Sequence, residues 1–215
     1  MERIATEQDY VVCVKPVGIS SEDGPDSMPA LLRQELGGEI FPVHRLDLNV
    51  GGVMVYARTK SAAAKLSQAV QEGVVVKEYL AVTHGVPELS EGIYEDLLWK
   101  DSRKNKVFVV KRSRKGVKEA RLAYRCMETN NDSTLVHIRL YTGRSHQIRV
   151  QFASRHTPLV GDHKYGSHDE ATCPALWSTR LTFPHPKTKE PLTFSCLPTG
   201  GIWETFSSPE LNNLP

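Results

Sequence analysis

His44-Arg45-Leu46-Asp47-Leu48-Asn49-Val50-Gly51-Gly52-Val53-Met54-Val55-Tyr56-Ala57-Arg58-Thr59 sets a charged loop, a glycine turn, an apolar strand and a helix cap in sixteen residues. Gly52 to Arg58 is a nearly continuous apolar run, which reads as a strand buried on both faces. Thr59 then caps a helix in which Ala62, Ala63, Leu66, Ala69 and Val70 recur at helical spacing, closed by Gly73. An Asp placed just before such a turn and strand can be held at the rim of a sheet, which suits a carboxylate with a chemical task. The same pattern also fits a structural Asp paired with its neighbour Arg45.

Working outward, Tyr10 to Lys15 reads as an apolar strand stopped by Pro16 and Gly18. Asp26 or Ser27 caps a helix with Pro29 in its first turn, an apolar face of Leu31, Leu32 and Leu36, and Gly37-Gly38 as its stop. Beyond Gly73, Val74 to Thr83 reads as a strand with Lys77, Tyr79 and Ala81 on one face. Val107 to Val110 gives a short strand in a hairpin, and Ala120 to Glu128 with Thr134 to Tyr141 an antiparallel pair. Gly143 and Arg144 turn the chain into a helix from about His146 to Arg155, with Ile148 and Phe152 one turn apart. From Leu159 onward, short strands are punctuated by prolines. The expectation is one α+β domain over residues 1–215: a mixed, mainly antiparallel sheet with flanking helices.

The chain has 215 residues, 40% hydrophobic and 24% charged, the make-up of an ordinary globular protein. No apolar run approaches the roughly 20 residues of a membrane helix. Met1-Glu-Arg-Ile-Ala-Thr-Glu has no apolar signal core, and Cys13, Cys126, Cys173 and Cys196 form no Cys-x-x-Cys pair. These features lead to the expectation of a reduced, cytoplasmic protein with no membrane partner. There is no Walker loop, no Gly-x-Gly-x-x-Gly and no His-Glu-x-x-His. His163, His168 and Cys173 are spaced too irregularly to read as a zinc set.

Net charge is only +2, but it is segregated. Lys100 to Lys118 holds nine basic residues against Asp101 alone, a local +8, so the remainder sums to −6. Residues 1–43 hold eight acids and three bases. A basic stretch of that density faces a polyanion or forms a solvated hairpin. Thr142-Gly143-Arg144-Ser145-His146-Gln147-Ile148-Arg149 brings cationic and protonatable side chains to a helix start, where anions are favoured. It reads equally as a solvated helix face. Lys77-Glu78-Tyr79 is by itself half-buried strand packing.

In combination these blocks are specific. Lys15-Pro16-Val17-Gly18, His44-Arg45-Leu46-Asp47 with Gly52 and Ala57, Lys77, Tyr79, Ala81 and Gly85 occur in that order. Thr142 to Arg149, Pro158, Gly161-Asp162, Tyr165-Gly166 and Leu181-Thr-Phe-Pro-His185-Pro follow. The series resembles the RluA family of RNA pseudouridine synthases over nearly the whole chain. The resemblance implies the pseudouridine synthase fold with a central catalytic cleft, and an isomerase that detaches uracil from ribose, turns it and rejoins it through carbon. It implies no cofactor and no metal. Asp47 would be the essential carboxylate, acting as nucleophile at the sugar carbon or as base at the adjacent ribose position. Arg144 would pair with it, Tyr79 would stack on the uracil and assist proton removal, and Ile148 would line the pocket floor.

RNA would be the partner, ribosomal or transfer, bound by a monomer. A stacked uridine must be flipped out, and Arg45 is placed to fill the vacated space or meet a neighbouring base. His44, His146, Arg149, Lys104, Lys106, Lys111 and Arg112 complete the expected RNA contacts, with Arg155 beside them. Two departures from the family pattern stand out. Val50-Gly51 occupies the place where many relatives carry Thr-Ser, and the pattern begins near Tyr10, without the N-terminal RNA-binding domain of many relatives. Two rivals are an RNA-binding protein of this fold without catalysis, and a hydrolase using Asp47, which the missing second acid disfavours.

Overall fold

The computed structural model describes residues 2–207, so the ends of the expected 1–215 domain lie outside the described residues. These residues gather into two compact units, 2–77 with 177–197 and 78–176 with 198–207.

The first unit is built on β2 (Tyr10–Lys15) and β4 (Gly51–Ala57), paired antiparallel with every residue of both strands buried. Burial on both faces explains why neither strand alternates in sequence. β1 (Glu2–Thr6) flanks β2, and the two-residue β3 (Phe41–Pro42) flanks β4. β10 (Leu176–Pro184) runs parallel to the start of β4, with β11 (Pro191–Ser195) folded back on it. α1 (Met28–Leu36) starts where the sequence places it, Ser27 accepting from the Ala30 N–H with Pro29 in the first turn. α2 (Lys60–Gln71) is capped by Thr59, which accepts from the Ala62 N–H. Its Ala62, Leu66 and Ala69 join Tyr10, Val12, Val53, Val55, Leu181 and Phe183 in one core. Each of the larger side chains contributes about 1.5–3 kcal/mol by leaving water.

The second unit holds a five-stranded sheet in the order β5-β9-β8-β6-β7. β5 (Val76–His84) enters from the first unit and is buried over most of its length. β8 (Val117–Asn130) and β9 (Ser133–Leu140) form the expected antiparallel pair. β7 (Lys106–Val110) is the expected short strand, paired with β6 (Glu91–Asp101). β6 and β1 are strands the sequence did not announce. β6 lacks clean alternation because one of its faces meets a helix and the other meets a mixture of charge and aromatic rings; its length is set by pairing with β7 and β8 together. α3 (Gln147–Ala153) lies on the first of those faces, where Val150 packs with Leu98, Val107, Ala120 and Tyr165.

Candidate active site

Lys15 ends a strand whose every side chain is buried, and its own is 0% exposed. An ammonium there needs partners, and it has three: the carbonyls of Pro16 at 2.9 Å, Ile19 at 2.7 Å and Leu48 at 3.1 Å. Leu48 directly follows Asp47, so this buried cation ties down the loop that carries the carboxylate. The Gly18 N–H donates to the same Leu48 carbonyl at 2.9 Å. Burial pulls the Lys15 ammonium down to about 8, and the charge of Asp47 opposes that shift.

The rest of the loop is pinned in the same manner. Ser21 Oγ donates to the Leu46 carbonyl at 2.9 Å and accepts from the Leu46 N–H at 3.2 Å. The Tyr56 hydroxyl donates to the Ser21 carbonyl at 3.1 Å, and the Val50 N–H closes a turn on the Asp47 carbonyl at 3.0 Å. His44 Nε2 accepts from the Val55 N–H of β4 at 3.2 Å. That nitrogen must be unprotonated to accept, which agrees with burial pushing the imidazole down to about 3. Glycine launches β4 for steric reasons. Gly52 sits at φ +122° against the Ser178 backbone of β10, where any Cβ would overlap main-chain atoms. A Cβ at Gly51 would overlap the Trp177 ring. Gly51 is half of the Val50-Gly51 departure, and the indole lying over it is the physical reason a serine does not fit; Val50 itself is 2% exposed.

The second unit carries Tyr79, buried on β5, and the turn before α3. Gln147, 3% exposed, organises that turn: its Oε1 accepts from Thr142 Oγ1 at 2.8 Å and from the Arg144 N–H at 3.1 Å, while Nε2 donates to the Arg121 carbonyl at 3.1 Å. Arg144 Nε donates to the Glu119 carbonyl at 2.8 Å, which lays the exposed side chain along β8. His146 takes the left-handed conformation at φ 49° to start the helix. The Tyr165 hydroxyl accepts from the Val107 N–H at 2.9 Å and shares a second hydrogen bond with His146 Nδ1, also at 2.9 Å, whose direction follows the imidazole tautomer. Ile148, 4% exposed, follows on the first turn of α3. Arg144, His146 and Ile148 are thus brought together on one short element of this unit, and Asp47 is fixed in the other.

Arg149 requires a correction. Expected among the RNA contacts, it is 7% exposed and doubly bonded to Asp162, Nε to Oδ2 at 2.7 Å and Nη2 to Oδ1 at 2.8 Å. It also covers the Tyr165 ring at 5.2 Å, so the Gly161-Asp162 and Tyr165 blocks and the α3 block are one structural cluster. Arg155 is likewise engaged, gripping Asp96 at 2.9 and 3.2 Å and lying 3.9 Å from the Tyr94 ring centre. Arg45 is exposed and bridges Glu22 at 2.9 Å. Lys104, Lys111 and Arg112 are exposed and form no ion pair among the described residues, while Lys106 reaches over Phe108 and Tyr165. Lys15, Ser21 and Gln147 were given no role from sequence. Lys15 alone had a signal, a charged residue ending an all-apolar strand.

The family model for RNA pseudouridylate synthases matches residues 9–154. The ribosomal large subunit pseudouridine synthase C of Buchnera aphidicola is 39% identical over 125 residues, 58% of this chain and 39% of that protein. The dual-specificity RNA pseudouridine synthase RluA of Escherichia coli K12 is 32% identical over 204 residues, 89% of this chain and 90% of that protein. This chain spans 39% to 66% of the length of several curated relatives it matches. Among solved structures, human RNA pseudouridylate synthase domain containing 1 superposes with a TM-score of 0.81 at 21% identity, covering 99% of this chain and 92% of that one, which shows the shared fold. Together with a carboxylate loop anchored by Lys15, Ser21 and His44 and the Tyr79 and Arg144 blocks in order, these matches show that the chain belongs to the RNA pseudouridylate synthase family.

Proposed function

We propose that this chain is an RNA pseudouridine synthase that isomerises uridines in structured ribosomal or transfer RNA, working as one catalytic domain, a monomer, in the cytoplasm. The observation that carries the reading is the Asp47 loop, whose backbone is held by Lys15, Ser21 and His44 so that little ordering is left to be done when substrate arrives. Such pinning is spent on a carboxylate whose position matters. Relatives named for ribosomal large-subunit uridines and for dual specificity support the RNA classes.

The chemistry is an isomerisation, so it calls for no oxidant, reductant or co-substrate. The N1–C1′ bond of uridine breaks, the uracil turns, C5 bonds to C1′, the C5 proton leaves and N1 gains one. Asp47 serves as nucleophile at C1′ or as base on the neighbouring ribose carbon. Tyr79 stacks on the uracil and assists loss of the C5 proton, Arg144 is the cation that pairs with the carboxylate and orients it, and Ile148 is apolar floor. Arg45, held only by an exposed bridge to Glu22, is free to swing toward the space a flipped uridine leaves. Lys104, Lys106, Lys111 and Arg112 meet phosphates.

Tritium release from RNA labelled at C5 of uracil tests the reading, with Asp47→Asn as the paired control. Release by the parent and none by Asp47→Asn is the expected result. No release by the parent from total cellular RNA would overturn it in favour of an RNA-binding protein that keeps the fold. Arg45→Ala should lower turnover on structured RNA while sparing stability.

A further inference from the structure

Strand register sorts the β6-β7-β8 region into two faces, because residues paired across strands point the same way. Leu98, Val107 and Ala120 turn inward to Val150 of α3. The partners Trp99↔Phe108, Trp99↔Val117, Leu97↔Val110 and Asp101↔Lys106 share the opposite face. There Trp99 and Phe108 are half-buried, with ring centres 6.2 Å apart and planes 31° from parallel. β7 ends the strand order, so the pair stands at the open edge of the sheet. Arg114 lies 4.9 Å from the Trp99 ring centre and Lys106 5.9 Å from that of Phe108. Lys111, Arg112 and Lys115 are exposed around them, while Lys118 pairs with Leu98 and points to the other face; Asp101 and Glu119 are the nearby acids.

We propose that this face is a stacking platform for an unpaired segment of the RNA substrate, with Trp99 and Phe108 under the bases and Arg114, Lys111 and Arg112 on the phosphates. The proposal rests on the RNA-directed reading above and adds what part of the RNA is held. Cations alone would hold any phosphate backbone, paired or not. Two rings side by side at a sheet edge add something a duplex cannot use, since only unpaired bases offer their faces. The exposed Arg114 guanidinium now lying over the indole marks the place a base would take, and once displaced its five N–H donors are free to grip the adjoining phosphate. The local charge of +8 selects a polyanion over an ordinary protein surface.

The test uses the full chain and two fluorescein-labelled probes, a short single-stranded oligouridylate and a duplex RNA of matched length, followed by anisotropy. Trp99→Leu, which keeps apolar bulk and removes the π-face, should weaken single-strand binding about tenfold or more and duplex binding little. Trp99→Phe should restore most of the loss, and turnover should show a raised KM at unchanged kcat. Tryptophan emission of the parent should be quenched by the oligouridylate, and that quenching should be missing from Trp99→Phe, whose remaining indoles are Trp177 and Trp203; this readout serves if Trp99→Leu folds poorly. Parent-like binding by Trp99→Leu, equal losses on both probes, or an unquenched Trp99 would each overturn the platform. Equal losses would assign the face to charge alone, as for an acidic protein partner. Absence of C5-tritium release touches the isomerase reading and not this one, because binding and quenching need no turnover.

Discussion

The Asp47 loop and the β6-β7-β8 edge handle charge in opposite ways. In the loop one cation, Lys15, is wholly buried and spends its donors on three backbone carbonyls. At the edge Lys104, Lys111 and Arg112 are exposed and form no ion pair among the described residues. The difference teaches how a fold divides its work. A carboxylate that must act at one atom is set on backbone that cannot shift without breaking buried hydrogen bonds. A surface that meets a flexible polyanion keeps its cations solvated and mobile, ready to follow phosphates.

The largest expected effect breaks the loop at its chemical group. Asp47→Asn keeps the shape of the side chain and should lower C5-tritium release at least about a thousandfold, with the urea midpoint little changed. The next removes the anchor beneath it. Lys15→Met strands the carbonyls of Pro16 and Ile19 and halves the support of Leu48; urea unfolding should show a loss of about 3 kcal/mol. Because the folded-state value of Lys15 is pulled down from its ordinary 10.5 to about 8, the unfolded chain binds the extra proton between those limits. Stability of the parent relative to Lys15→Met should therefore rise with pH across that window.

A third effect is smaller and belongs to His44. Its folded value of about 3 against an ordinary 6.5 means that the unfolded chain takes up a proton the folded one refuses. Stability should fall as pH drops below 6.5, with a slope of at most about 1.4 kcal/mol per pH unit from this group. His44→Asn should flatten that acid limb in urea titrations at stepped pH; an unchanged slope would remove His44 from the account. The smallest effect lies at the edge. Lys111→Gln with Arg112→Gln should lower the slope of log affinity against log salt by about two, leaving kcat and the urea midpoint unchanged. A fall in kcat would mean that the edge also helps position the reacting uridine.

Sequence and structure agree best where a single local rule operates. Thr59 caps the helix it was expected to cap, and of the two candidates Asp26 and Ser27 it is Ser27 that caps the other, because an N-cap is satisfied within its own first turn. The paired strands β2 and β4 were legible as apolar runs, since burial on both faces leaves no other composition. Arg149 was misread because its partner Asp162 lies thirteen positions along the chain, and nothing in a local pattern separates a guanidinium that meets solvent from one folded inward. Lys15, Ser21 and Gln147 escaped for the same reason in part: each acts on backbone atoms, and a carbonyl has no letter in the sequence. β6 escaped because its two faces meet such different surroundings that neither alternation nor an apolar run survives.

The contact of Gly51 with Trp177 bears on how this chain can change over time. A side chain at 51 needs the indole gone, and a smaller residue at 177 leaves a void above glycine that only a side chain at 51 would fill. Each replacement is harmful alone and acceptable with the other, so the two positions must be exchanged as a pair. A lineage that has settled on glycine and tryptophan here is separated from one with serine and a smaller partner by a valley that single substitutions do not cross cheaply. Construction of both single variants and the double variant would measure the depth of that valley directly.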